Sequence, residues 1–369
     1  MARPRVLLAT TDFPPMGGGI QLLLARLVEH ADWETSVVCF GSADAGPVDR
    51  ELAADVVRVP RLANHQLSVI KLAEQTLRES RRRPFDAVVC GHLVLGPAAL
   101  LAARCSGRAA VQYLYAKELG TRPRIVRSVL PRMDASIAIS DYTHELALVG
   151  GAPASRVHVI TPGSDAPDVA YDRPAAKREP VVVTVARLED RYKGFDVLLR
   201  AFPLVRAQVP DARWIVVGKG RLRPELEATA HEWGIGEHVE FTGAVDDATR
   251  DGILQRAAVF AMPSRVPAGH RGGEGFGIVY LEAGAAGLPV VAGAEGGATS
   301  AVVDGVTGLL TDPRDHVAVA ERIVRLLRDP ELARRLGAAG REHQRSMTWE
   351  RMAREVDVVV HGAMDRRRR

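Results

Sequence analysis

Glu274 and Glu282 bracket the segment Glu274-Gly275-Phe276-Gly277-Ile278-Val279-Tyr280-Leu281-Glu282, with seven residues between the two carboxylates. Glycines bare the backbone, and the first N–H groups of a helix have no partner inside it, so a Gly-rich entry to a helix suits an anion. A helix beginning near Phe276 carries Glu282 one to two turns inside it. A carboxylate beside an anion site is costly unless it accepts hydrogen bonds from neutral hydroxyls, and a sugar joined to a phosphate offers both partners.

A second Gly-rich turn lies near the N-terminus, where Thr10-Thr11-Asp12-Phe13-Pro14-Pro15-Met16-Gly17-Gly18-Gly19 separates the apolar run Val6–Ala9 from an apolar stretch starting at Ile20. Exposed backbone N–H groups there suit a phosphate or a developing oxyanion, and a tight turn without a ligand reads equally well from the residues alone. The GxGxxG spacing of a dinucleotide site is missing, so NAD is not expected. No Asp-x-Asp triplet occurs, and Cys39, Cys90 and Cys105 lack CxxC spacing. Neither a zinc site nor a disulfide framework is suggested, and the three cysteines read as buried thiols.

The elements that must position these residues are legible as short β-branched runs alternating with helical stretches. The runs fall at 6–9, 36–40, 56–59, 87–90, 109–112, 136–139 and 157–160, then at 181–185, 214–217, 239–241, 259–262 and 289–292. Continuous apolar runs between helices indicate strands buried on both faces of a parallel sheet. Pro162 to Pro180 reads as a linker between two series. The expected fold is α/β, two doubly wound domains facing a cleft: an N-terminal domain over 1–165, a C-terminal domain over 175–346, and a last helix with a basic tail over 347–369. Past Leu310 helices are expected from Arg314 to Leu327, from Pro330 to Gly337, and after Thr348 as an N-cap.

The length of 369 residues accords with two domains, and 47% hydrophobic with 25% charged residues is the balance of an ordinary globular chain. A formal net charge of +4 points to local patches rather than to a nucleic-acid partner. With no span or leader expected, the chain reads as cytoplasmic. Between Arg122 and Arg132 a stripe of Ile125, Val126, Val129 and Leu130 beside Arg124 and Arg127 forms a basic amphipathic pattern suited to peripheral contact with an anionic membrane.

The Glu274 to Glu282 segment resembles the EX7E motif of retaining family-4 glycosyltransferases with the GT-B fold, and the run from Arg271 to Ala283 is similar to that of actinobacterial phosphatidyl-myo-inositol mannosyltransferases. The resemblance spans nearly the whole chain. Thr10 to Gly19 resembles the family's N-terminal loop, and Val185-Ala186-Arg187-Leu188 with Lys193-Gly194 its diphosphate clamp. Val217-Gly218-Lys219-Gly220, Val239 to Gly243 and Met262-Pro263-Ser264 resemble the nucleotide pocket, and Gly293 to Gly297 and Gly305 to Leu309 the loops that follow.

The resemblance implies two Rossmann-like domains, a last helix that returns to the first, and transfer of a sugar from a GDP- or UDP-linked donor to an acceptor hydroxyl, lipid-linked or small-molecule, with retention. Arg187 and Lys193 would neutralise the leaving diphosphate, by fork and by point charge. Glu274 would hold hydroxyls of the transferred sugar and Glu282 those of the ribose. Gly18, Gly19, Gly218, Val245 and Gly275, with the backbone N–H groups of Phe276, Gly277, Ile278 and Val279, complete the donor site. With cations and a helix end in place, no metal or other cofactor is expected. Two departures stand out. Tyr115 occupies the place of a histidine that faces the donor sugar, near Lys117 and Glu118, which are candidates for sugar recognition; and Thr299 and Ser300 replace a glutamate after a Gly-rich loop. An altered donor sugar is therefore expected, while an epimerase or phosphorylase of this fold and an inactive sugar-nucleotide binding protein remain open alternatives.

Overall fold

The computed structural model describes residues 3–42, 44–52, 54–165, 179–269 and 272–368. They divide into two units, one of residues 1–163 with 349–369 and one of residues 164–348.

In the first unit the strands are β1 (Arg5–Ala9), β2 (Glu34–Phe40), β3 (Ala54–Val59), β4 (Ala87–Cys90), β5 (Ala109–Leu114), β6 (Ala135–Ala138) and β7 (Val157–Val159). They form one sheet in the order β3-β2-β1-β4-β5-β6-β7, with every neighbouring pair parallel. All residues of β4, β5 and β6 are buried, as expected where helices cover both faces. The chain winds outward from β1 and returns to β4, so the carboxyl ends of these two neighbours mark the switch point, where open α/β sheets bind ligands.

The final helix, Trp349–Arg368, belongs to this unit, as expected. Its buried stripe of Trp349, Met352, Ala353, Val356, Val359, Val360, Ala363 and Met364 follows a three-to-four-residue period. The Trp33 indole donates to Asp357 at 2.5 Å, and Arg367 pairs with Asp134 at 2.8 Å.

In the second unit β8 (Val181–Val185), β9 (Arg213–Val217), β10 (Val239–Gly243), β11 (Val259–Met262), β12 (Val290–Gly293) and β13 (Gly308–Thr311) form a parallel sheet in the order β10-β9-β8-β11-β12-β13. Its switch point lies between β8 and β11. Strand β13 falls where the sequence reads as a loop: Gly308 hides it, yet that glycine is where β13 comes so close to β12 that a Cβ would lie 2.5 Å from the Val290 carbonyl oxygen.

Three further readings are corrected. The helix expected to stop at Gly337 runs from Pro330 to Ser346, because Gly337 is a point of helix contact, where a Cβ would come 2.1 Å from the Gly287 carbonyl oxygen. Cys39 and Cys90 are buried, but Cys105, near the end of the helix Gly96–Ser106, is exposed. The stripe expected to seat a membrane is core: Val126, Val129 and Leu130 are at most 3% exposed and pack with Leu95 and Ala147. Among the described residues no helix is long and apolar enough to cross a membrane. Of the expected linker, residues 166–178 lie outside the described residues.

Candidate active site

In the second unit the chain leaving β8 lies across the turn after β9. Ala186 N–H donates to the Val217 carbonyl and Leu188 N–H to the Lys219 carbonyl, each at 3.0 Å, and Leu222 N–H returns to the Leu188 carbonyl at 2.9 Å. The crossing demands glycine at 218, where φ is +141° and a Cβ would stand 2.0 Å from the Ala186 carbonyl oxygen. Leu188 is fully buried and anchors the strap, which leaves its neighbour Arg187 exposed. Gly218 N–H donates to Gly243 at 2.9 Å, and the part-buried Val245 follows in the loop after β10.

A short 3₁₀ turn, Arg191–Lys193, ends in Gly194, which caps the helix Phe195–Gln208. Lys193 Nζ reaches the Glu274 carboxylate, donating to Oε2, and lies 5.3 Å from the centre of the Tyr192 ring. The two paired side chains are 16% and 11% exposed. Arg265 fixes this turn from the far side: its N–H donates to the Tyr192 carbonyl at 2.8 Å, and its guanidinium forks onto Asp196 at 3.0 and 2.8 Å.

Glu274 precedes, and Glu282 lies within, a helix of Ile278–Ala285, which begins two residues later than expected. The reason is Gly277, the N-cap, whose φ of +88° brings the chain over the Tyr280 ring. Tyr280 in turn donates its hydroxyl to the Met262 carbonyl at 2.8 Å at the end of β11. Gly297 N–H donates to the Glu274 carbonyl at 2.8 Å, so the loop after β12 braces the glutamate's backbone. Ile278 and Val279 open the helix, and their N–H groups find no acceptor among the described residues. Phe276 is 2% exposed and plugs the core beneath.

Glu282, in the second turn, has its pKa raised by burial; Arg250 opposes the rise, while Asp165, Asp247 and Asp251 add to it. Arg250 bonds Asp247 at 2.8 Å and Asp251 at 3.1 Å. It was missed in the sequence because it sits on a polar helix, Asp247–Arg256, with no motif around it. Thr299, which stands with Ser300 where the resemblance places a glutamate, donates locally to the Gly296 carbonyl at 2.9 Å.

The remaining candidates belong to the first unit. Gly18 caps the helix Gly19–His30. Lys117 is exposed, in the helix Ala116–Thr121. Tyr115 is only 4% exposed, with its ring stacked on Tyr113 at 6.2 Å between centroids. Its hydroxyl is buried and finds no partner among the described residues. The side chain packs within the first unit rather than standing free in solvent. Glu118 is also buried and serves the protein: Oε1 accepts from Leu93 N–H at 2.7 Å and lies 2.6 Å from His92 Nδ1. Sequence reading missed His92, a lone histidine beyond β4 whose only signal was its place at the switch point. No group of three His, Cys, Asp or Glu able to hold a metal ion occurs among the described residues.

So the second unit gathers a cation, two carboxylates and an open helix start at the carboxyl ends of β8 and β11. Family models match both halves: Glycosyl transferase 4-like domain over residues 18–163 and Glycosyl transferases group 1 over residues 170–343. A GDP-mannose-dependent alpha-(1-6)-phosphatidylinositol monomannoside mannosyltransferase of Mycobacterium tuberculosis is 34% identical, over 97% of this chain and 98% of its own. The chain is a family-4 glycosyltransferase. A Corynebacterium glutamicum relative, a GDP-mannose-dependent monoacylated alpha-(1-6)-phosphatidylinositol monomannoside mannosyltransferase, is 32% identical over 97% of this chain and 98% of its own. In fold, this glycosyltransferase matches Anabaena HepE solved with UDP, with a TM-score of 0.80 at 20% identity over 97% and 99% of the two chains. Sucrose-phosphate synthase from Thermosynechococcus elongatus matches with a TM-score of 0.79 at 22% identity over 97% and 98%. Both are consistent with the GT-B architecture of paired parallel sheets.

Proposed function

We propose that this glycosyltransferase moves mannose from GDP-mannose to a hydroxyl of a lipid-linked or small-molecule acceptor, with retention and without a metal ion. The observation that carries the reading is the direct contact of Lys193 with Glu274 at the mouth of the helix Ile278–Ala285. It sets a phosphate-binding cation and a hydroxyl-binding carboxylate one bond apart, the spacing at which a sugar meets its phosphate. As the glycosidic bond breaks, charge develops on the diphosphate. Lys193, the exposed Arg187 and the N–H groups of Ile278 and Val279 are the donors that stabilise it, the role a divalent ion fills elsewhere. Glu274 orients the sugar through its hydroxyls and Glu282 holds the ribose. The choice of GDP-mannose and of a lipid acceptor follows the two mannosyltransferase relatives.

A thermal-shift panel of nucleoside diphosphates and their sugars, followed by turnover of labelled donor, tests the proposal. GDP and GDP-mannose at about 100 times Kd should stabilise the fold by about 2.7 kcal/mol. The anomeric configuration of the product, read by NMR, reports retention. Stabilisation by UDP alone, or an inverted product, sinks the corresponding part.

A further inference from the structure

Three strands of the first sheet deliver charged side chains to one place. Asp12 follows β1, His92 follows β4 and Glu118 follows β5, and β4 lies between the other two in the sheet. His92 Nδ1 stands 2.6 Å from Glu118 Oε1, which already accepts the Leu93 N–H at 2.7 Å. A contact that short to a carboxylate oxygen puts a proton on Nδ1. Val94 N–H, 3.4 Å from Nδ1, is at the limit of a hydrogen bond and does not compete.

The other face of the ring is unfinished. Nε2 is 3.6 Å from Asp12 Oδ2, beyond hydrogen-bond reach. Asp12 is itself fixed, Oδ2 accepting from the Thr11 hydroxyl at 2.7 Å and Oδ1 from the Gln21 amide at 2.8 Å. The His92 and Asp12 side chains keep 18% and 25% exposure, whereas Glu118 keeps 7%. A hydroxyl both accepts and donates at a single atom, so it completes this gap by taking a bond from Nε2–H and giving one to Asp12.

We propose that the gap between His92 Nε2 and Asp12 Oδ2 binds one hydroxyl of a sugar or polyol, with Glu118 acting as the positioning residue that locks the imidazole. The inference rests on the glycosyltransfer reading above, and the hydroxyl belongs either to the transferred sugar or to the acceptor. The surroundings favour the charged ring: burial depresses the His92 pKa, but Glu118 and Asp12 outweigh burial and the opposing Arg122, and the net shift is upward from 6.5. Tyr115 and Cys90 stay neutral there, each pushed up by burial.

Steady-state kinetics with GDP-mannose and a phosphatidylinositol monomannoside acceptor test this, on wild type, His92→Asn, Asp12→Asn and Glu118→Gln. Each of the first two variants should lower kcat/KM by about 10²-fold, the scale for losing one hydrogen bond to a charged group. The substrate whose KM rises identifies the owner of the hydroxyl: the GDP-mannose KM for the transferred sugar, the acceptor KM for the acceptor. Wild-type kcat/KM should fall as pH rises through the His92 pKa, and Asp12→Asn and Glu118→Gln, each removing a carboxylate, should move that fall to lower pH. A purely structural role leaves the profile in place. The partly exposed Asp12→Asn keeps the test open where a buried substitution unfolds the protein, and a retained GDP thermal shift shows an intact second unit. Active wild type with Asp12→Asn and His92→Asn within twofold of it, or an unmoved pH profile, overturns the hydroxyl site alone. A wild type that turns over no nucleotide sugar overturns the functional reading and this inference with it.

Discussion

Lys193 and Glu274 touch across 81 residues of sequence, ammonium to carboxylate, with little of either side chain exposed. The pair has two uses in one place, and they separate experimentally. Removing either partner leaves the other desolvated and uncompensated, which typically costs about 3–5 kcal/mol for a buried pair, whereas replacing both by uncharged groups of similar volume is often close to neutral. Lys193→Ala should lower turnover by roughly 10²–10³-fold, the scale for one electrostatic stabiliser of developing charge. The double variant Lys193→Met, Glu274→Gln should recover most of the lost Tm and none of the turnover. Recovered turnover would show that the pair is only a strut.

Metal dependence is a separate matter. With Arg187, Lys193 and two helix N–H groups available to the diphosphate, turnover should stay within about twofold of normal in EDTA, since preorganised donors supply the charge stabilisation. Activity abolished by EDTA and restored by Mg²⁺ would contradict the arrangement proposed.

Glu282 gives a pH prediction whose sign can be worked out. Its folded pKa is raised from 4.5, by burial first. Between 4.5 and the raised value the folded protein binds the extra proton, so stability falls as pH rises through that window and is regained on acidification. Glu282→Gln should therefore raise Tm at neutral pH and flatten its dependence across the window. Ribose hydroxyls need the ionised form as acceptor, so donor affinity should weaken as pH drops through the same raised pKa. Arg250→Gln removes the charge that favours ionisation and should shift that acid limb to higher pH. Donor KM against pH for the two proteins checks it; an unshifted limb would separate Arg250 from the donor site.

Most of the strands were legible because buried parallel strands leave uninterrupted apolar runs, as at Val259–Met262 and Ala87–Cys90. What escaped is instructive in physical terms. Glycine at 308 and at 337 reads as a break in sequence, yet both mark backbones in close approach inside regular elements. An apolar stripe beside arginines reads as membrane-seeking, but its partners were the helix Gly96–Ser106 and its neighbours, and only tertiary packing shows them. Glu274 and Lys193 were visible as types and spacings, while their contact was not. His92 and Arg250 carry no motif at all; each becomes notable only through the carboxylates that other elements bring to it.

Tyr115 supplies the last prediction, because burial reverses what its chemistry alone suggests. An exposed phenol in place of an imidazole would crowd a hydroxymethyl group, and Tyr115→His would then improve use of an ordinary hexose by about tenfold. Here the ring is stacked on Tyr113 with planes 16° apart, and its hydroxyl is buried without a partner among the described residues. Leaving a hydroxyl in that condition costs about 1–3 kcal/mol, and stacked aromatic pairs contribute roughly 0.5–1.5 kcal/mol beyond their area. Tyr115→Phe keeps the stack and removes the orphan, so it should raise Tm by a few degrees with kcat/KM for the donor unchanged. Tyr115→His gives up the phenyl packing and buries a titratable ring, so it should lower Tm with no gain for any hexose donor. Calorimetry on both variants with a donor panel decides between the two pictures: a tenfold gain for a hexose in Tyr115→His means that the phenol reaches the ligand after all, and a lower Tm in Tyr115→Phe means that its hydroxyl has a partner.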